Sequence, residues 1–242
     1  MLKRKRLYLD IEVTPNVGFF WNPGHKISVS YDNIIEERKI ICICYQWEGK
    51  KVESLKWSSK KCDKGLVAEM VKIMDQADEI IGHNLDRFDL PWIRTRAFFH
   101  RIPMSHSYTT TDTLKLARRF FRYNSNRLDY ISKYAGSEGK IHTDFGMWKK
   151  ITLTNDQEAL AKMIKYCKGD IVELRKVFEQ LKPYLPAKVH YGVQAGGEKI
   201  DCPECGGPTK INLTRVTATG VKKNQRQCKN CGKSHTVTAK AA

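Results

Sequence analysis

The alternation of hydrophobic and polar residues along the chain predicts a series of short strands and helices. Alternating or continuous apolar runs predict strands at Leu7–Val13, Lys39–Trp47, Val52–Trp57, Glu79–Gly82 and Thr109–Asp112. Apolar residues that recur every three or four positions predict helices at Leu66–Asp75, Asp86–His100, Thr113–Phe121, Leu128–Tyr134 and Asn155–Leu181. Strands and helices in this order predict an α/β fold in which helices cover a mixed sheet.

The chain after Leu181 changes in character and predicts a second, smaller domain. Two prolines end the long helix, which Thr154 or Asn155 is expected to cap. Three glycines mark a linker, and a β-rich stretch with four cysteines follows. We therefore predict an α/β domain at residues 1–186, a linker at 187–199 and a small β-rich domain at 200–242.

The charge of the chain narrows the choice of partner. The 242 residues carry a formal net charge of +17, from 43 Lys and Arg against 26 Asp and Glu. A polyanion is the expected partner of so basic a protein, and nucleic acid is favoured over a membrane surface. No apolar run approaches the roughly 18 residues that span a bilayer, and no signal-peptide core follows the basic N-terminus. We expect a cytoplasmic protein in a reducing compartment, with no membrane partner.

Four of the eight cysteines form two Cys-x-x-Cys pairs, Cys202 with Cys205 and Cys228 with Cys231. Their spacing resembles that of a zinc ribbon, in which four thiolates hold one structural Zn²⁺. Two disulfides or a redox dithiol are the alternatives, which a reducing compartment disfavours, and His235 is a substitute ligand. Basic residues around the pairs favour contact with nucleic acid, and docking to a protein is the alternative.

Acidic residues at three places in the larger domain are candidate metal ligands. Asp10 and Glu12 lie two apart on a strand, so both carboxylates face the same side of it. Asp89 stands near the start of a helix, whereas Tyr166 and Asp170 share one face of the last helix. Carboxylates gathered on one side of a sheet repel each other unless cations lie between them, and oxygen ligands select Mg²⁺ or Mn²⁺.

These residues fall into three motifs in a fixed order: Asp10-x-Glu12, Asn84-x-x-x-Phe88-Asp89 and Tyr166-x-x-x-Asp170. Over residues 7–182 the order resembles the DEDD exonuclease superfamily. The tyrosine is typical of its DEDDy branch, which includes the proofreading domains of family-B DNA polymerases. The resemblance implies a ribonuclease H-like fold and metal-dependent 3′→5′ exonuclease activity. It also implies two Mg²⁺ or Mn²⁺ ions, held by Asp10, Glu12, Asp89 and Asp170, with Tyr166 orienting the attacking water.

Single-stranded DNA is the substrate that the resemblance implies. The chain would then be a stand-alone nuclease or a proofreading subunit that works with a DNA polymerase or another replication protein. Asn84, Phe20 and Trp21 are candidate substrate contacts, the two aromatic residues by stacking on unpaired bases or, alternatively, packing into a small core. An RNA-processing exonuclease of the same fold, a non-catalytic nucleic-acid-binding adaptor and an endonuclease are the alternative functions.

Overall fold

The computed structural model describes residues 4–22, 24, 27–105, 107–137 and 144–239. The strands are β1 Arg6–Val13, β2 Val17–Gly18, β3 Ile34–Glu36, β4 Ile40–Trp47, β5 Glu53–Lys56, β6 Glu79–Gly82, β7 Thr109–Asp112, β8 Thr209–Val216, β9 Lys222–Cys228 and β10 Ser234–Thr238. The helices are α1 Lys64–Met74, α2 Asp89–Phe99, α3 Thr113–Phe120, α4 Leu128–Tyr134, α5 Phe145–Thr154, α6 Gln157–Leu181 and α7 Tyr191–Gln194. No helix in these described ranges is long and apolar enough to cross a bilayer.

The chain divides into two compact units. The larger unit is Lys5–Phe178, and the smaller unit takes Glu179–Ala242 together with Met1–Arg4. Each unit has a sheet of its own. The assignment of a function to residues 1–186 and another to 200–242 stays a prediction.

The larger unit is built on a five-stranded mixed sheet with the order β5-β4-β1-β6-β7. Its central strand β1 runs antiparallel to β4 and parallel to β6, and β6 runs parallel to β7. β1, β4 and β6 are largely buried, because side chains on both of their faces lie in the interior. Helix α6 contributes a buried stripe, at the predicted three- or four-residue spacing, that includes Leu160, Ile171 and Val177. The predicted α/β mixed sheet with flanking helices is confirmed.

A buried ionic network ties α2 to the sheet. The carboxylate of Asp63, which is 0% exposed, accepts hydrogen bonds from Arg96 at 2.6 and 2.8 Å. The ring of His100 lies 2.6 Å from the same carboxylate, and the backbone N–H of Ile40 donates to it at 3.0 Å. Since Arg96 and His100 belong to the end of α2 and Ile40 begins β4, this network fixes the direction of the helix whose first residue is Asp89.

Two helix boundaries differ from the predictions for local reasons. Helix α2 begins at Asp89 and not at Asp86, because residues 84–88 form a turn in which Asn84 has the left-handed φ of 68°. Helix α6 is capped by Asp156, whose carboxylate accepts from Ala159 N at 2.8 Å. Asn155, one of the expected caps, instead ends the unpredicted helix α5 with a φ of 53°.

The smaller unit contains a three-stranded antiparallel sheet with the order β10-β9-β8. The stretch expected to be a linker contains the short helix α7, whose Tyr191 N–H donates to Pro203 O at 2.8 Å. Gly192 in this helix is buried, and a Cβ there would lie 2.7 Å from Cys202 O. Glycine is therefore required at this position for α7 to pack against the cysteine-containing turn.

Candidate metal centres

Strand β1 and helix α2 meet at the first group of acids. Asp10 and Glu12 stand opposite Cys44 and Cys42 of β4, so these four side chains share one face of the sheet. The Ile11 N–H, between the two acids, donates to Asp89 Oδ1 at 3.1 Å. β1 pairs with β6 only as far as Tyr8. Beyond that point, the Asp89 carboxylate accepts the hydrogen bond from Ile11 that a strand neighbour would otherwise accept. The structure thus brings Asp89 beside Asp10 and Glu12.

Helix α6 adds Tyr166 and Asp170 to this group. Burial raises the pKa of Tyr166 well above its usual value, and the negative charges of Asp170, Glu12 and Asp10 raise it further. The phenol hydroxyl also donates a hydrogen bond to Asp170, which is 7% exposed. Tyr166 therefore remains protonated near neutral pH, and its hydroxyl serves as a donor that orients neighbouring groups. The five predicted residues of the carboxylate motifs lie together.

The electrostatic environment of these acids is strongly negative. Burial raises the pKa of Asp10 well above its ordinary range, and the charges of Asp89, Glu12 and Asp170 raise it further. Burial likewise raises the pKa of Asp89 to about 8, although backbone N–H groups, including that of Ile11, lower it in part. Like charges packed together in a low-dielectric setting favour either protonation or a bound cation.

The donor set fits hard divalent cations. We call Asp10, Glu12, Asp89 and Asp170 the carboxylate cluster; its oxygens are the ligands that Mg²⁺ and Mn²⁺ prefer. Four carboxylates would balance the charge of two divalent cations. Among the described residues, only four cysteines form a set of three or more potential ligands whose donor atoms all lie within 4.8 Å of each other. The carboxylate cluster does not form a set of this kind.

Asp112 supports the turn that leads to Asp89, a role that the sequence analysis missed. This carboxylate, 3% exposed, accepts from the backbone N–H groups of Asn84 at 3.0 Å, Asp86 at 3.3 Å and Leu114 at 3.0 Å. It thereby caps α3 and fixes the turn in one conformation. An Asp at the junction of a strand and a helix is the sequence signal that could have identified it. The structure gives Asn84 a conformational role, and its contact with substrate stays a prediction.

Cys167 is a second residue whose contact the sequence did not show. It is fully buried on α6. Its thiol also lies 3.3 Å from Asp10 Oδ2 and 3.6 Å from Asp10 O, and the hydrogen bond to Oδ2 lowers the pKa of Asp10. The thiol of Cys44 contacts the Cys167 thiol and lies 3.7 Å from the backbone oxygen of Ile164. Cys167 thus holds the Asp10 carboxylate in place from the side of α6.

The aromatic segment after β2 is exposed. Phe20 is 56% and Trp21 100% accessible to solvent, so neither packs into the small core that was their alternative role. Their aromatic faces are available to a ligand. Stacking of these residues on bases stays a prediction.

The second centre lies in the smaller unit. The Sγ atoms of Cys202 and Cys231, of Cys205 and Cys228, and of Cys205 and Cys231 are each 3.6 Å apart. Partial burial raises the pKa of Cys228, but the backbone N–H groups of Cys231 and Asn230 lower it to about 7. Four sulfur donors gathered around one point, which we call the cysteine cluster, fit a tetrahedral Zn²⁺ site. The His235 ring lies against the His190 ring, with centroids 5.7 Å apart, and is not part of the set.

The five-stranded mixed sheet, with an acidic group at the end of its central strand, defines the class of ribonuclease H-like proteins. Residues 35–182 match the family described as the RNase_H superfamily. This match covers more than half of the chain, and the chain belongs to the RNase_H superfamily. The matched range contains Asp89, Tyr166 and Asp170 but begins after Asp10 and Glu12. The fold brings these two acids of β1 close to the other three residues.

A solved structure shows the same fold. The chain is similar to the family B DNA polymerase from the hyperthermophilic archaeon Pyrobaculum calidifontis, with a TM-score of 0.56 and 18% sequence identity. The similarity covers 76% of this chain and 25% of the polymerase chain. No curated protein sequence matches this chain. The ribonuclease H-like fold expected from the sequence motifs is confirmed.

Proposed function

We propose that this protein is a DEDDy-type 3′→5′ exonuclease that hydrolyses phosphodiester bonds at the 3′ end of single-stranded DNA. The observation that carries the proposal is the convergence of the carboxylate cluster with Tyr166, in a fold whose members are generally nucleases. Asp10 and Glu12 come from β1, Asp89 from the start of α2, and Asp170 from α6, so three separate elements deliver the acids. If these acids were only solvated surface groups, Asp89 and Asp170 would be exposed, but both are buried.

The residues of the site have distinct tasks in this proposal. The carboxylate cluster holds two Mg²⁺ or Mn²⁺ ions, which when bound activate a water molecule and stabilise the leaving oxygen. Tyr166, which donates its one hydroxyl hydrogen to Asp170, would present its hydroxyl oxygen as an acceptor that positions the attacking water. Cys167 and Asp112 hold Asp10 and the turn before Asp89 in the required geometry.

Single-stranded DNA is the proposed substrate, in line with the similarity to a polymerase that contains this fold. The exposed rings of Phe20 and Trp21 stack on unpaired bases, and Asn84 contacts the strand near the carboxylate cluster. A DNA polymerase or another replication protein is the proposed partner if the chain acts as a proofreading subunit. Cleavage of RNA by the same chemistry is the alternative.

The test uses 5′-labelled single-stranded DNA incubated with the protein, after metal removal and then with Mg²⁺ or Mn²⁺ added back. We expect a ladder of products that shortens from the 3′ end only when the metal is present. Asp10→Asn should slow cleavage by at least about 1,000-fold, which corresponds to roughly 4 kcal/mol of transition-state stabilisation. The control is Asp86→Asn, because Asp86 pairs with Lys115 at 2.7 Å outside the carboxylate cluster, and this variant should cleave normally.

Three further outcomes separate the alternatives. Faster cleavage of a matched RNA oligomer would identify an RNA-processing exonuclease. Cleavage of an oligomer blocked at its 3′ end would identify an endonuclease. Strand binding without cleavage by the wild-type protein and by Asp10→Asn alike would identify an adaptor and end the exonuclease proposal.

The cysteine cluster forms a zinc ribbon in this proposal, with one structural Zn²⁺ held by Cys202, Cys205, Cys228 and Cys231. Four thiolates leave no open position, so the ion stabilises the smaller unit and takes no part in cleavage. Cys231→Ser should lower the bound zinc from one equivalent and expose the smaller unit to proteolysis. Cys62→Ser changes an exposed cysteine of the larger unit and is the matched control. Full zinc content in Cys231→Ser would contradict the assignment.

A further inference from the structure

The sheet of the smaller unit has an open surface that the carboxylate and cysteine clusters do not use. Every residue of β8 from Lys210 to Val216 is exposed, so side chains on both faces of this strand reach solvent. On one face the ring of His235 is partly covered by the ring of His190. The other face carries a shallow groove, lined by Arg215, Lys223, Gln225 and Thr236 together with the first residues of the β8–β9 turn.

Strand register shows which side chains share the open face. Arg215 stands directly opposite Lys223, and Leu213 stands opposite Gln225, which in turn faces Thr236 of β10. A bulge between Ile211 and Leu213 shifts the alternation of β8, so Lys210, opposite Gln227, returns to this same face. We call Lys210, Leu213, Arg215, Lys223, Gln225 and Gln227 the basic face.

The charged side chains of the C-terminal segment that contains the basic face are all cationic. From Cys205 to Ala242 the sequence contains eight lysines and arginines and no aspartate or glutamate. Arg215 and Lys223 are a cross-strand pair of like charges, an arrangement that destabilises a hairpin unless an anion lies between them. Two other cations have internal acceptors: Arg226 donates to Thr209 at 2.7 and 3.2 Å, and Lys233 donates to the backbone of Lys182 and Leu185. The cations of the basic face are instead directed to solvent.

We propose that the basic face is a second nucleic-acid-binding site, which holds the phosphate backbone of a single strand. The inference rests on the proposed function only in its choice of nucleic acid as the polyanion. The basic face would contribute to the protein's affinity for the strand independently of the carboxylate cluster.

The spacing of the cations selects a chain of anions over a single ion. The Arg215–Lys223 pair and Lys210 are separated by four residues along β9, because Lys223 and Gln227 are their respective partners. At about 3.3 Å per residue this is roughly 13 Å, more than one phosphate or carboxylate can bridge. The ligand must therefore carry repeated anionic groups.

The side chains between the cations favour nucleic acid over an acidic peptide. Leu213, 45% exposed, offers an apolar surface on which a base can pack. The amide of Gln225 is both a donor and an acceptor, as base edges are, whereas that of Gln227 is held by Asn212 and Gly232. An acidic peptide would supply acceptors for the cations but would leave these neutral groups without a matching partner.

The test compares the full-length protein with the triple variant Lys210→Gln, Arg215→Gln, Lys223→Gln, both carrying Asp10→Asn so that the strand survives. Affinity for a long oligothymidylate is measured at several salt concentrations. Loss of three phosphate contacts should reduce the slope of log K against log salt by about 2, since each contact in a single strand contributes about 0.7. Between about 50 and 200 mM salt, the affinity of the protein with an intact basic face should therefore fall about 20-fold more than that of the triple variant.

Two controls identify the face and exclude misfolding. Lys50→Gln, Lys51→Gln, Lys56→Gln removes the same charge from exposed positions in the larger unit and should leave the slope nearly unchanged. The charge-preserving variant Lys210→Arg, Arg215→Lys, Lys223→Arg should bind as the parent does, and all variants should retain their zinc. In an otherwise wild-type background, the triple variant should hydrolyse a dinucleotide, whose one phosphodiester is the bond that is cleaved, at the wild-type rate.

The remaining outcomes overturn the inference. A triple variant that keeps the parent's affinity and salt slope shows that the basic face does not hold the strand. Equal competition by polyglutamate or by anionic vesicles assigns the face to another polyanion. Because binding is measured in the inactive background, either result can be distinguished from a failure of the exonuclease proposal, which appears only in the cleavage assay.

Discussion

Asp63 and Asp89 are both deeply buried in the larger unit, at 0% and 2% exposure, yet their surroundings are opposite. Burial raises the pKa of Asp63, but hydrogen bonds from Arg96 and His100 more than offset it, so the pKa lies below its usual value. Burial raises the pKa of Asp89 to about 8, and the nearby charge of Asp112 adds to the rise.

The contrast separates a structural acid from a ligand. The cations that neutralise Asp63 belong to the protein itself, so its negative charge is balanced as soon as the chain folds. Asp89 lies among other acids, and the cation that would balance it must come from outside. A buried acid is therefore a candidate metal ligand when the protein surrounds it with other acids and not with cationic side chains.

The largest expected difference is in catalysis. Asp89→Asn should slow cleavage of single-stranded DNA by about 1,000-fold, because it removes a ligand whose contribution to the transition state is roughly 4 kcal/mol. Asp63→Asn should leave kcat of the folded fraction nearly unchanged. The measurement is the single-turnover rate at saturating Mg²⁺, and similar losses in both variants would contradict the different roles of the two acids.

Stability should respond with the opposite sign. Asp63→Asn leaves Arg96 without its buried partner and should lower the free energy of unfolding by about 3–5 kcal/mol. Asp89→Asn relieves repulsion within the carboxylate cluster and should raise the midpoint of unfolding when no divalent cation is present. Urea unfolding of the metal-free variants provides the measurement, and destabilisation by both substitutions would count against a repulsive cluster.

Lowering the pH should also reveal this contrast, because folding lowers the pKa of Asp63 and raises that of Asp89. The folded pKa of Asp63 lies below its unfolded value, so this carboxylate stabilises the fold fully above about pH 4. That contribution disappears as pH falls through the folded pKa, because the native state must then bind a proton. The stability of wild-type protein should therefore fall more steeply below about pH 4 than that of Asp63→Asn. Parallel acid-unfolding curves for the two proteins would refute this assignment.

A smaller effect is expected from the thiol beside Asp10. Cys167→Ala removes the hydrogen bond to Asp10 Oδ2 and should raise the Mg²⁺ concentration for half-maximal activity by about 10–100-fold. Cys167→Ser, which keeps a donor, should restore most of the metal affinity. Val177→Ala is the matched control, because Val177 is also buried on α6 but lies ten positions beyond Cys167 in the sequence. An equal change in the Mg²⁺ requirement of the control variant would show that Cys167 acts only through packing.

The sequence predicted the parts of the fold that depend on periodicity. Strands β1 and β4 and helix α6 have strong patterns, and the order of the motifs placed the acids on the elements where they are found. The helix α5 was missed, because it lies in a stretch without a clear apolar repeat. The early start predicted for α2 failed because the left-handed turn at Asn84 depends on Asp112, which is distant in sequence.

Contacts between distant residues account for what the sequence could not show in the site. The bonds from Asp112 to the turn and from Cys167 to Asp10 join residues 28 and 157 positions apart. No periodicity encodes such pairs. The cysteine cluster, in contrast, could be foreseen, because each Cys-x-x-Cys turn is a local feature and glycine follows both.

Strand β8 forms one edge of its sheet, is eight residues long and is exposed along nearly its whole length. A strand of this kind, with Ile211, Leu213 and Val216 exposed, is a template on which a second copy could pair and aggregate. The cations Lys210 and Arg215 beside these apolar residues should keep copies of the protein apart by repulsion. Neutralising them would therefore have a second effect: the edge would lose its protection against self-association, and the protein would become less soluble as its charge decreased.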